Sequence, residues 1–86
     1  MHTIAVIGLG YIGLPTAVVF AQKGYRVIGV DIDAKKVEAV NAGRSYVREP
    51  YLNEMLRDSV ARGLLSATTD AVVAVIITAH NIDPSP

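Results

Sequence analysis

Three glycines spaced as G-x-G-x-x-G, at Gly8, Gly10 and Gly13, and an acid at Asp31 are the residues of this 86-residue chain whose types and spacing suit chemistry. That chemistry is the holding of a phosphorylated ligand rather than the breaking of a bond. Gly8 permits a tight turn, Gly10 lets backbone approach a pyrophosphate, and Gly13 allows a helix to pack closely on a strand. Backbone N–H groups at the start of that helix, those of Tyr11 and Ile12 among them, then point at the anion, and the helix dipole favours its charge. A glycine-rich turn alone is a weak signal, because structural turns are rich in glycine. Asp31 follows Gly13 by 18 residues, where an acid at the end of a second strand accepts hydrogen bonds from an adenosine ribose. A carboxylate there repels the 2′-phosphate of NADP, and Ile32 and Asp33 stand where an accommodating Arg would be, so the expected cofactor is NAD. Lys35 and Lys36 begin the next helix and read first as solvated charges, with Lys36 near enough in sequence to Asp31 to border the adenine side as the alternative.

The elements that must position these residues follow from the apolar pattern. Thr3–Ile7 is a β-branched run that fits a buried parallel strand. Residues 11–23 are helix-compatible, with Pro15 in the first turn, Ile12, Val19 and Phe20 available for a buried stripe, and Gly24 as C-terminal cap. A second strand at 25–30 runs into Asp31, and a helix at 34–42 stops at Gly43. The charged stretch 44–49, with Arg44, Arg48 and Glu49, reads as a solvated connection. Pro50 suits the first position of a third helix reaching Arg62, with Leu52, Met55, Leu56 and Val60 inward and Gly63 at its end. A short strand is expected at 64–68. The β-branched run at 71–79 favours a strand, with a helix capped by Asp70 as the alternative. Two strands separated by Thr69 and Asp70 alone cannot be joined by a parallel crossover, so antiparallel pairing, the loss of one strand, or exchange with another molecule would have to follow. The pattern is that of an α/β, Rossmann-type parallel sheet, truncated, with helices on both faces and strand order near 3-2-1. One domain over residues 1–80 and a frayed tail at 81–86 are expected, with an exposed edge beside the first strand that favours a homodimer or segment exchange.

Composition narrows the function. Hydrophobic residues make up 51% of the chain and charged residues 19%, which suits one compact core and argues against disorder. Lys plus Arg and Asp plus Glu are both 8, so no basic excess favours nucleic acid or anionic lipid. With no cysteine there is no disulfide, thiolate zinc site or thiol nucleophile. His2 and His80 have no companions at metal-ligand spacing, and no acid/base pair points to catalysis, so neither a metal site nor a catalytic residue is assigned. No basic region precedes the first apolar run, and no apolar stretch approaches the roughly 20 residues of a membrane-spanning helix. A soluble, cytoplasmic protein is therefore expected.

Four stretches carry a resemblance beyond the glycines: V-I-G-L-G-Y-I-G-L-P-T-A at 6–17, G-V-D-I-D-A-K-K-V at 29–37, R-E-P-Y-L-N-E-M-L at 48–56 and G-L-L-S-A-T-T-D at 63–70. Together they resemble the UDP-glucose/GDP-mannose dehydrogenase family. The resemblance implies that Gly8 to Gly13 hold the pyrophosphate of NAD, that Asp31 holds the ribose, and that Lys36 is a basic group near the adenosine. It further implies a full-length enzyme that oxidises the C6 alcohol of a UDP-sugar to a carboxylate in two NAD-dependent steps, with a cysteine thiohemiacetal between them. The family's catalytic cysteine, lysine and asparagine lie downstream of the matching stretches, so this chain alone is expected to be inactive. After Asp70 the family has a short helix, a strand and a V-x-T-P-like turn touching NAD, whereas here Thr78-Ala79-His80-Asn81 stand in place of that turn. Two rival expectations are another NAD-dependent dehydrogenase with the same opening, of hydroxyacid or hydroxyacyl-CoA type, and a stand-alone dinucleotide-binding or interaction module.

Overall fold

Three short apolar runs form a parallel sheet in which the second and third strands are each reached through helices. The computed structural model describes residues 2–81. In chain order these are β1 (Thr3–Ile7), α1 (Gly13–Gln22), β2 (Arg26–Val30), α2 (Ala34–Asn41), α3 (Leu52–Ala61), β3 (Leu65–Thr68) and α4 (Val72–Asn81). The sheet order is β1-β2-β3, all parallel, with Val6 opposite Gly29 and Gly29 opposite Ala67. This is the α/β, 3-2-1 arrangement expected from the pattern. Of the expected frayed tail at 81–86, Asn81 instead closes α4, and residues 82–86 lie outside the described residues.

Pleating sends Ile4 and Val6 of β1, Val27 of β2, and Leu65 and Ala67 of β3 to one face, where they pack with α1 and α3 around Leu14, Val18, Leu52 and Leu56. The inward stripe of α1 is Leu14, Ala17, Val18 and Ala21; of the expected residues Phe20 packs against the core, whereas Ile12 and Val19 do not. Ile12 is 82% exposed and Val19 48%, while Phe20 is half-buried edge-on to Tyr25. The helix begins at Gly13, where the glycine turn ends, and its phase is set by the side that can approach the sheet. Ala17 and Ala21 are small enough for that approach. Ser59, fully buried between α1 and α3, donates to the Met55 carbonyl and accepts from Gln22, so the polar group in this apolar layer is satisfied.

Two further boundaries differ from expectation. Pro50 does not open α3; Tyr51 takes a left-handed φ of 66° and the helix begins at Leu52. Its inward residues are as expected, with Leu52 and Leu56 buried and Met55 and Val60 packed against the core. The run at 71–79 is the helix α4 and not a strand. Asp70 accepts the Val72 N–H at 3.0 Å, and the residues that follow satisfy their own backbone while packing against β1. The β preference of valine and isoleucine is thereby overridden, and the two-residue crossover that two strands would have needed does not arise. Gly24, Gly43 and Gly63 follow α1, α2 and α3 with positive φ, as helix-ending glycines do. At the outer edge of β3, the Asn41 amide donates to the Ala67 carbonyl at 2.9 Å and accepts its N–H at 2.8 Å, taking the place of a neighbouring strand. No helix among the described residues is long and apolar enough to cross a membrane.

Candidate nucleotide site at the carboxyl ends of the strands

The chain turns from β1 into α1 through Gly8, whose N–H continues the sheet by donating to the Val30 carbonyl at 2.7 Å and whose φ of 87° suits a residue without a side chain. Gly13 lies so close to this turn that a Cβ added to it would fall 1.7 Å from the Gly8 carbonyl oxygen. Gly10 differs, because a Cβ there would meet no protein atom within 4 Å. Its lack of a side chain answers no packing need within the chain and leaves open space in front of the turn. Among the described residues, the N–H groups of Gly10, Tyr11 and Ile12 donate to no protein group. The start of α1 has no side-chain cap and no acid in its first turn. A helix start with orphan donors and no internal anion can accept an external one.

Asp31, at the end of β2, faces this turn. Its Oδ2 accepts the Leu9 N–H and its Oδ1 the Asp33 N–H, both at 2.8 Å. These two bonds hold the carboxyl below the usual aspartate range against an opposing effect of burial, and the Lys36 charge adds to them. Each oxygen keeps further acceptor capacity, which suits a pair of hydroxyls. Asp33 accepts the Lys35 N–H and caps α2. Lys36, half-buried, places its Nζ 5.9 Å from the centre of the Tyr46 ring. A crevice of about 260 Å³ lies between Ile7, Gly8, Val30, Asp31, Ile32, Thr69 and Ala71, at the carboxyl ends of the three strands where open α/β sheets take their ligands. A second recess of about 140 Å³ is lined by Gly10, Tyr11, Lys36, Tyr46 and Val47.

The fold thus gathers all seven sequence candidates, Gly8, Gly10, Tyr11, Ile12, Gly13, Asp31 and Lys36, at one end of the sheet. Arg44, Arg48 and Glu49 are exposed, as expected for a solvated connection. Three residues of the site were not among the candidates. Leu9 is fully buried, and Gly29 makes room for it: a Cβ on Gly29 would lie 2.7 Å from a Leu9 methyl carbon. Tyr46 reaches back from the connection and donates its hydroxyl to the Leu9 carbonyl. The signal in the sequence was the Tyr46-Val47 pair, two large side chains in an otherwise polar loop. Residues 78–81 continue α4 rather than forming a turn. Among the described residues, no group of three or more potential ligands gathers to hold a metal.

The profile of the UDP-glucose/GDP-mannose dehydrogenase family, NAD binding domain, matches residues 2–79. The chain is 52% identical over 69 residues to an NDP-N-acetyl-D-galactosaminuronic acid dehydrogenase of Ralstonia nicotianae, covering 80% of this chain and 16% of that protein. It is 44% identical to a UDP-N-acetyl-D-mannosamine dehydrogenase of Yersinia pestis, covering 99% of this chain and 21% of the relative. Among solved structures it superposes on a GDP-mannose dehydrogenase from Pseudomonas aeruginosa with a TM-score of 0.83 at 38% identity, over 88% of this chain and 17% of that one. A UDP-glucose dehydrogenase from Pyrobaculum islandicum gives a TM-score of 0.81 at 43% identity, over 87% and 17%. The chain therefore spans about a fifth or less of the relatives it matches. With the profile matching residues 2–79 and relatives 44–52% identical over four fifths or more of its length, the chain belongs to the UDP-glucose/GDP-mannose dehydrogenase family, in the region of its NAD-binding domain.

Proposed function

We propose that this chain is the NAD-holding N-terminal part of a nucleotide-sugar 6-dehydrogenase resembling UDP-N-acetyl-D-mannosamine dehydrogenase. The observation that carries this reading is the open space at Gly10 before an α1 start that has orphan donors and no cap of its own, with the Asp31 carboxylate at the end of the neighbouring strand. The backbone N–H groups of Gly10, Tyr11, Ile12 and Gly13 hold the pyrophosphate, with Gly8 shaping the turn. Asp31 accepts the ribose hydroxyls, and Lys36 supplies positive charge beside them. The ionised Asp31 admits a ribose bearing hydroxyls and repels one bearing a 2′-phosphate, which selects NAD over NADP. NAD, when bound, supplies the hydride acceptor for oxidation of a UDP-sugar C6 alcohol to a carboxylate. The chain has no cysteine, so the thiohemiacetal step belongs to the remainder of a full-length enzyme. Such a product serves cytoplasmic polysaccharide biosynthesis.

Calorimetric titration of the chain with NAD and with NADP tests this. NAD binds, NADP binds at least about tenfold more weakly, and Asp31→Ala weakens NAD by about tenfold while narrowing the preference, in keeping with about 1.5–3 kcal/mol for a hydrogen bond to a charged group. A folded chain that evolves no heat with either dinucleotide would sink the proposal.

A further inference from the structure

Leu9 stands between the first two glycines of the turn, and both polar groups of its backbone are held by residues distant in sequence. Its N–H donates to Asp31, and its carbonyl accepts the hydroxyl of Tyr46. Its side chain, fully buried, fills the space left by Gly29. The ring of Tyr46 lies under the Lys36 ammonium, within cation–π range at 5.9 Å, and Lys36 in turn helps keep Asp31 ionised. Asp31, Leu9, Tyr46 and Lys36 therefore form a closed circuit around the turn that leads to Gly10.

The geometry points to Tyr46 as a positioning residue for the nucleotide site: it clamps the Leu9 carbonyl so that the following N–H groups face the pyrophosphate, and it seats Lys36 beside the ribose acid. This rests on the dinucleotide reading above and adds a residue to it. Tyr46 is well placed for the task. The connection that carries it is ordered by its own bonds, since Ser45 Oγ donates to the Val47 carbonyl and accepts the Val47 N–H, and Asn53 accepts the Ser45 N–H. Val47 is buried in the core and anchors the next position. Burial, with Asp31 and Asp33 nearby, pushes the Tyr46 phenol up to about 12, so it remains a donor throughout the neutral range. Without the hydroxyl, the Leu9 carbonyl loses its partner and the Leu9 backbone keeps only its bond to Asp31.

Tyr46→Phe removes the hydroxyl and keeps the ring. Two readouts are taken on the 86-residue chain. The first, amide hydrogen exchange without ligand, is expected to show faster exchange at Leu9 N–H and no change at Asp33 N–H, which donates to the other Asp31 oxygen. The second, binding of NAD, ADP and adenosine, is expected to show NAD and ADP weakened about three- to tenfold and adenosine unchanged, because only the first two carry the pyrophosphate. Asn41→Ala, which loosens the sheet edge away from the turn, serves as control. Unchanged exchange at Leu9 would overturn the clamp. So would an equal loss for all three ligands, or the same pattern in Asn41→Ala, since either would reduce Tyr46 to a contributor to general stability. A wild-type chain that takes up no dinucleotide would instead overturn the site reading, while Leu9 exchange would still decide the clamp.

Discussion

The glycines of the turn differ in what surrounds them, and the proposed site gives them different tasks. Gly13 abuts the Gly8 carbonyl, whereas Gly10 abuts nothing. Gly13→Ala forces backbone apart, and its urea midpoint is expected to fall by the equivalent of about 3 kcal/mol, the upper range for overpacking. Gly10→Ala is expected to unfold within about 1 kcal/mol of wild type but to bind NAD about tenfold more weakly, because its methyl occupies the space a pyrophosphate approaches. Equal behaviour of the two variants in either assay would contradict this division. Asp31 is also a pH-dependent element. Its carboxyl is held low by the Leu9 and Asp33 N–H groups, so its contribution to stability is present above the unfolded value of about 4 and is lost as pH falls through the lower folded value. Asp31→Asn is expected to flatten that acid limb in denaturation curves measured from pH 2 to 6. Tyr46 acts at the other end. Its raised phenol contributes below about pH 10 and loses that contribution as pH rises toward about 12, a base limb that Tyr46→Phe abolishes.

At the scale of elements, the sheet is short, and side chains do part of what neighbouring strands usually do. Asn41 pairs with both backbone groups of Ala67 at the outer edge of β3. Asn41→Ala releases two hydrogen bonds and is expected to cost about 2 kcal/mol in chemical denaturation, at about 1 kcal/mol for each. A loss below about 0.5 kcal/mol would show that water replaces the amide without penalty. Gln22 plays a comparable part between α1 and α3, donating to Asp58 and Ser59 across the layer. The surface ion pair of Arg62 with Asp58 at 3.5 Å is half exposed on both sides and adds little.

For the whole molecule, the distribution of apolar surface matters most. The core lies between one face of the sheet and α1 with α3, while the outer edge of β1 pairs with no strand among the described residues. Close to it, Ile7 is 66% exposed, and α4 presents Val72, Val75 and Ile76 to solvent at 60% or more. An open parallel edge beside exposed apolar groups favours contact with a second copy. Light scattering across a concentration series is expected to show an apparent mass that rises above the monomer, and Val75→Lys with Ile76→Glu to lower it. A constant monomeric mass at high concentration would dismiss the idea.

What the sequence by itself determined is the local chemistry: a strand that ends in a glycine turn, a helix start, and an acid at the end of the next strand. Each of these depends on backbone requirements acting over a few residues, such as the positive φ of Gly8. The β-branched run of α4 misled for the same reason in reverse, because strand preference expresses packing against neighbours, and the structure offers that run a capping acid and the surface of β1 instead. Only the tertiary structure decided the inward phase of α1, the clearing of Gly29 for Leu9 and the return of Tyr46 to the turn. The Leu9 to Asp31 bond joins residues 22 apart and the Tyr46 to Leu9 bond residues 37 apart, and contacts over such separations exist only once the strands have paired and the core has closed.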